Sequence, residues 1–280
     1  MTFDDLRRPP LDRVALSAAL TREGSLWRGI ELLQESASTN SVVAERARLG
    51  EQSGLVVVAE HQTSGRGRLD RSWVTPPRAA LTFSFLVTPD RVPAARWPWL
   101  PLLVGIAVSE AVRRVAEVDA ELKWPNDVLV AEQKVAGILV ERVERVSGPA
   151  AVVGIGLNVS SSADELPVPT ATSLALHGAR TLDRSVILRE VLRAFEALYV
   201  QWQAELGDAG RGLLESYVRR CSTLGRQVRV DLPTGEQLHG EAVGIDTDGR
   251  LQVRTGSGVR VLGAGDVVHV RAEPGPPDLT

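Results

Sequence analysis

Three apolar, β-branched runs crowd the middle of the chain: LKWPNDVLV (122–130), KVAGILVERV (134–143) and AAVVGIGLNV (150–159). Only short polar connections separate them, so this region reads as sheet. Two further runs precede it. LVVVAEHQ (55–62) is continuously apolar, as a buried strand is, and ALTFSFLV (80–87) alternates. Long helical patterns bracket this strand-rich part. PWLPLLVGIAVSEAVRRVAE (98–117) has helical spacing with proline near its start. DRSVILREVLRAFEALYVQWQAELG (183–207) follows the strands, with Asp183 or Ser185 as caps. Shorter helices are predicted over Leu11–Leu20, after the polar SASTN (36–40) with a stop at Gly50, and over 209–220. Pro125-Asn126-Asp127 reads as a kink or turn within its strand region.

From Ser222 the texture changes. Five short alternating segments follow, separated by Pro-Thr-Gly, Asp-Gly and Gly-Ser-Gly turns. That pattern predicts a small β-barrel of about fifty residues. The expected organisation is an N-terminal extension (1–30), a larger domain (31–221), the β-domain (222–272) and a disordered tail (273–280). Net charge is −3, which gives no basic field to attract nucleic acid. One cysteine, Cys221, excludes an intrachain disulfide and a cysteine metal cluster, and it reads as a small buried hydrophobe. No apolar run approaches the ~20 residues that span a bilayer. MTFDDLRRPPLDR lacks the apolar core of a signal peptide, so the cytoplasm is the expected location.

Residues 63–73 read TSGRGRLDRSW. Gly65 and Gly67 allow close approach of backbone to a ligand. Arg66, Arg68 and Arg71 offer forked donors to carboxylate or phosphate oxygens. In an extended segment Arg66 and Arg68 project to the same side. Their mutual repulsion predicts a loop that is mobile when empty and ordered by an anion. Neither a Walker A motif nor a dinucleotide fingerprint is present. Alone, the loop fits a solvated basic segment, with a nucleic-acid contact as a further rival. Lysine plus arginine total 32, yet only Lys123 and Lys134 are lysines. Retention of two lysines in one short stretch points to sites where a planar guanidinium does not serve. Lys123, Asn126 and Asp127 share one turn, Lys134 opens the next run, and GIGLNV supplies Gly154, Gly156 and Asn158.

STN, EHQTSGRGRLDRSW, KWPNDVLV, KVAGILVE and GIGLNV occur here in the order and spacing of the biotin protein ligases, and the β-rich C-terminus resembles that family's SH3-like domain. The resemblance runs from about residue 30 to 271. It implies an α+β fold, a mixed sheet flanked by helices, in the class shared with class II aminoacyl-tRNA synthetases. It implies formation of biotinyl-5′-AMP from biotin and ATP, then transfer to a lysine of a biotin carboxyl carrier domain. By the same resemblance Lys134, Arg68 and Asp127 are catalytic candidates. Biotin would meet Ser38, Thr39, Asn40, Gln62, Gly65, Arg66, Gly67, Arg68, Lys134, Gly137, Gly154 and Gly156. ATP would meet Arg66, Arg68, Arg71, Trp73, Lys123, Asn126 and Asn158.

Mg²⁺ is expected with ATP, held mostly by phosphate oxygens, with no dedicated metal cage. Lys123 is expected either to support the nucleotide or to pair with Asp127. The chain departs from the family at Asp70, where glycine is usual, and a carboxylate there is expected to pair with Arg68 or Arg71. About thirty residues before the catalytic region are too few for the helix-turn-helix of repressor relatives, so no operator binding is expected. The remaining expectations are no nucleic-acid or membrane partner, and a monomer or homodimer. Two alternatives stay open: a lipoate or octanoate ligase, and a nucleic-acid-binding module.

Overall fold

The computed structural model describes residues 8–269 apart from 70, 211 and 264. The expected tail 273–280 and the pairing proposed for Asp70 therefore lie outside the described residues.

The five central and preceding runs form most of one seven-stranded sheet. In chain order its strands are β1 (Gly29–Leu33), β2 (Leu55–Ala59), β5 (Ala80–Val87), β6 (Glu121–Lys123), β7 (Asp127–Val130), β8 (Gln133–Val143) and β9 (Ala150–Asn158). Their spatial order is β1-β2-β5-β9-β8-β7-β6. The β1–β2 pair is parallel and the rest are antiparallel, so the sheet is mixed. LKWPNDVLV divides into β6 and β7, with a cis Trp124–Pro125 bond in the reversal between them.

Period-two alternation decides what each face of the sheet does. One face carries Leu81, Phe83, Phe85, Val153, Ile155 and Ile138 into the main core. Helices α1 (Arg13–Leu20), α3 (Trp99–Ala111), α4 (Arg184–Ala204) and α5 (Leu213–Val218) cover that face. The opposite face buries Val57, Leu86 and Val152 against Val43, Ala44 and Ala47 of α2 (Thr39–Arg48). Along β9 this second face continues from Val152 to Gly154 and Gly156, and along β8 it holds Gly137, Leu139 and Glu141. Helix α2 covers only part of it, and the glycine-rich remainder is the floor of the site.

The helix expected over 98–117 ends its α-helical part at Ala111 and finishes in a π-type turn over Val112–Ala116, with Glu117 left-handed at φ 55°. The helix expected over 209–220 is confined to Leu213–Val218. Residues 8–30 are built into the main body. Leu11, Leu16, Leu20 and Trp27 lie in the main core, and the Leu11 N–H donates to Glu60 Oε1 at 2.7 Å. Glu60 is itself paired with buried Arg184 at 2.6 Å, and Arg184 donates to Pro9 O at 2.7 Å.

The C-terminal segments form a five-stranded antiparallel sheet from β10 (Gln227–Asp231), β11 (Gln237–Ile245), β12 (Leu251–Thr255), β13 (Gly258–Leu262) and β14 (Asp266–His269), in the order β13-β12-β11-β10-β14. The turn before β12 docks on two buried indoles. Trp99 Nε1 donates to Thr247 O at 2.7 Å and Trp124 Nε1 to Gly249 O at 2.9 Å. Cys221 is buried in the core, as expected of a lone cysteine read as a small hydrophobe.

Candidate active site

Strand register sets the rows of the floor. Asp127 pairs with Gly137, Gly137 with Gly156 and Gly156 with Thr82; in another row Leu139 pairs with Gly154 and Gly154 with Ser84. The glycines are required by what lies above them. A Cβ on Gly154 would stand 2.0 Å from Asn40 Oδ1, and one on Gly156 2.3 Å from the Trp73 indole. One on Gly137 would stand 3.0 Å from the Lys134 ammonium. Over this floor lies a cavity of about 470 Å³, within the usual size of a small-molecule site.

At one end, a buried polar chain descends from the start of α2. Gln62 Oε1 accepts from the Thr39 N–H at 2.8 Å and from Thr39 Oγ1 at 3.0 Å. The Thr39 and Ser84 hydroxyls lie 2.7 Å apart, and Ser84 donates to Asn40 Oδ1 at 2.6 Å. Asn40 Nδ2 donates to Glu141 at 2.7 Å. Ser38 occupies the N-cap position but makes no side-chain capping bond. The helix start is instead fixed through Thr39, and Ser38 lines the cavity. Two buried polar atoms of cavity-lining residues have no partner among the described residues, Trp73 Nε1 and Asn158 Oδ1. Orphans of this kind call for a partner, which a ligand or a water can supply.

Four cations border the cavity. Three come from a hairpin of β3 (Gly65–Arg66) and β4 (Ser72–Trp73). The segment is not extended beyond Arg66. It turns tightly, with Gly67 N donating to Arg71 O and Leu69 left-handed at φ 53°. Arg66 and Arg68 therefore diverge instead of pointing together, and each arginine finds its own internal acceptor. Arg66 donates to Glu141 at 3.1 Å, Arg68 to Asn126 Oδ1 at 2.9 Å and Gly265 O at 3.3 Å, and Arg71 to both oxygens of Asp266. These acceptors offset the repulsion expected of the empty loop. Burial lowers the pKa of Arg68, against the opposing pull of Asp266 and Asp127. Burial opposes ionisation of Asp266, but the Arg71 guanidinium beside it wins and holds the carboxyl below its usual range.

The fourth cation is Lys134, whose ammonium lies 2.6 Å from Asp127 and 5.9 Å from the centre of the Trp73 ring. The pairing expected between Lys123 and Asp127 is thus replaced by Lys134–Asp127. Lys123 does not line the cavity. It sits partly buried behind it, its pKa lowered by burial, within the field of Asp127 and Asp266. Gly65 is the other predicted residue outside the cavity. It lines a more open hollow on the far side of the hairpin, where a Cβ would meet Trp73 O at 2.4 Å. All other predicted site residues line the cavity itself.

Sequence reasoning missed Ser84, Asp266, Leu69, Val74 and the 167–171 segment of the rim. Ser84 carried a signal, a hydroxyl at a face-sharing position with Thr82 in an otherwise apolar strand. Asp266 carried none, because its contact with Arg71 joins positions far apart in the chain. Among the described residues no cluster of three or more histidine, cysteine, aspartate or glutamate side chains converges as a metal site. No helix among them is long and apolar enough to cross a membrane.

Residues 33–158 match the model of the biotin/lipoate A/B protein ligase family, and residues 223–270 match the biotin protein ligase C-terminal domain. A biotin–[acetyl-CoA-carboxylase] ligase of Mycobacterium tuberculosis is 42% identical over 97% of this chain and 100% of its own length. One from Paracoccus denitrificans is 32% identical over 82% of this chain and 98% of its own. The Aquifex aeolicus biotin protein ligase, solved in complex with biotin and ATP, superposes with a TM-score of 0.73 at 29% identity, over 88% of this chain and all of that one. With a family model over each region and full-length relatives at these identities, the chain belongs to the biotin protein ligases.

Proposed function

We propose that this protein joins biotin to ATP, releasing pyrophosphate, and passes the biotinyl group from biotinyl-5′-AMP to one lysine of a carboxylase's biotin carrier domain. The observation that carries this reading is that three arginines and Lys134 line one glycine-floored cavity that also holds two unsatisfied polar atoms. The relatives named for biotin favour it over the lipoate alternative.

In the first step a carboxylate oxygen of biotin attacks the α-phosphorus and the bond to pyrophosphate breaks. Both reactants are anions, so their approach needs fixed positive charge that costs no reorganisation during reaction. Arg66, Arg68 and Lys134 supply it around the acyl and α-phosphate oxygens, and Arg71 faces the departing pyrophosphate. Thr39, Asn40 and Gln62 offer donors and acceptors to the ureido ring above Gly154. The Trp73 indole, with Asn126 and Asn158, forms the nucleotide end. Mg²⁺ accompanies ATP, its ligands being phosphate oxygens and water.

In the second step the ε-amine of the acceptor lysine attacks the acyl carbon, the bond to phosphate breaks and AMP leaves. The amine must lose a proton, and Asp127, beside Lys134, is positioned to accept it. The C-terminal β-domain completes the site wall through Gly265 O and Asp266. A cytoplasmic location and the absence of a nucleic-acid partner remain part of the proposal.

The test is incubation of purified protein with Mg²⁺, ATP and either biotin or lipoate, followed by mass spectrometry. Biotinyl-AMP from biotin and no adenylate from lipoate is expected. Adenylation of lipoate alone contradicts the assignment.

A further inference from the structure

Glu141 closes the KVAGILVE motif but is not among the residues expected in the site. It projects from β8 on the cavity face, two positions beyond Leu139. Its Oε2 accepts from two donors at once, Asn40 Nδ2 at 2.7 Å and Arg66 Nη2 at 3.1 Å. One carboxylate oxygen thereby joins the polar chain under the ring end of the cavity to the first guanidinium of the hairpin.

The two arms differ in strength. Asn40 is 4% exposed, its Oδ1 is taken by Ser84, and its only other Nδ2 contact among the described residues is Leu139 O at 3.4 Å. Losing the Glu141 acceptor would leave a buried N–H poorly satisfied and the amide free to turn. The Arg66 side chain is 48% exposed, so its ion pair is weak and readily exchanged for a better anion.

We infer that Glu141 is a positioning residue with two opposed effects: it fixes the Asn40 amide for the ligand's ring, and it is the resting partner from which an incoming anion must take Arg66. This rests on the reading of the cavity as a biotin and ATP site. An anionic ligand competes with the carboxylate for Arg66, while Asn40 stays held by it throughout. Removing the carboxylate therefore weakens ring recognition and strengthens anion binding. A residue that merely stabilised β8 would weaken both ligands together.

The experiment is calorimetric titration of the full chain with biotin alone and with α,β-methylene-ATP alone, in wild type, Glu141→Gln and Glu141→Ala. Glutamine keeps an acceptor for Asn40 without the charge. Biotin affinity in Glu141→Gln is expected to stay within about twofold of wild type, and in Glu141→Ala to fall about tenfold. The nucleotide analogue is expected to bind about two- to fivefold tighter in both variants, the range a half-exposed ion pair permits. Analogue binding detectable only in the variants is the same result in its extreme form. Equal weakening of both ligands in Glu141→Ala, or no tightening of the analogue in either variant, overturns the inference. Should the alanine variant fail to fold, the glutamine variant alone decides by the same criterion. Failure of wild type to bind biotin at all would instead defeat the reading of the cavity.

Discussion

At the scale of single residues, the site is a matter of what is small and what is charged. Gly156 gives way to the Trp73 indole, which lies where a Cβ would stand 2.3 Å from it. Gly156→Ala is expected to push the indole into the cavity and lower biotin affinity about tenfold or more. Since the ring can shift toward open space, the unfolding midpoint should move only slightly; titration calorimetry and a thermal melt check the two halves. The glycines, Lys134 and the hairpin arginines were legible in the sequence because each belongs to a short, dense motif. Glu141 closes the KVAGILVE motif, but its contacts were not legible there; only the alternation of β8 over the floor sets it apart from the charges that follow it. The divergence of Arg66 from Arg68 was also illegible, because it depends on a turn at Leu69, a residue type that rarely adopts positive φ.

At the scale of elements, alternation carried most of the information. ALTFSFLV became a strand with the expected ends because its two faces meet different partners, the main core and α2. Helix ends were harder. Over 98–117 the apolar spacing continues past Ala111, but the chain widens into a π-type turn at Val112–Ala116 as it leaves the sheet. Strand β14 carries a contact invisible to pattern. His269 Nε2 lies 3.2 Å from Thr223 Oγ1, which already accepts from the Trp124 N–H at 3.1 Å.

Burial, with Lys123 nearby, depresses the His269 pKa to about 4. The unfolded chain, titrating near 6.5, binds the proton first, so stability falls as pH drops from about 6.5 to about 4. For a half-buried group the loss is roughly 1–2 kcal/mol. His269→Gln should flatten that part of the stability–pH curve in urea melts; an unchanged slope contradicts this.

At the scale of the whole molecule, the β-domain is fastened to the catalytic part and shares its site. The 246–250 turn meets two indoles at one end, and Asp266 reaches the hairpin at the other. Sequence texture set the two regions apart but showed nothing of this contact, since the paired residues are remote in the chain. Gly249 is left-handed at φ +79°, and a Cβ there would stand 3.0 Å from Leu102. Gly249→Val is expected to cost about 2–4 kcal/mol and to loosen the β-domain. Red-shifted tryptophan emission and a raised KM for ATP should accompany the lower melting temperature; a lower melting temperature with KM unchanged would show that the β-domain is not part of the nucleotide site.

The account stands on clustered positive charge bringing two anions into reacting distance. The most direct measurement is the single-turnover rate of biotinyl-AMP formation under saturating biotin and Mg-ATP, in wild type, Lys134→Ala and Arg68→Ala. Each substitution is predicted to slow the step by about 10²–10³-fold, the scale of losing one preorganised charge partner, with the unfolding midpoint retained. Formation of the adenylate at the wild-type rate by both well-folded variants would contradict the account.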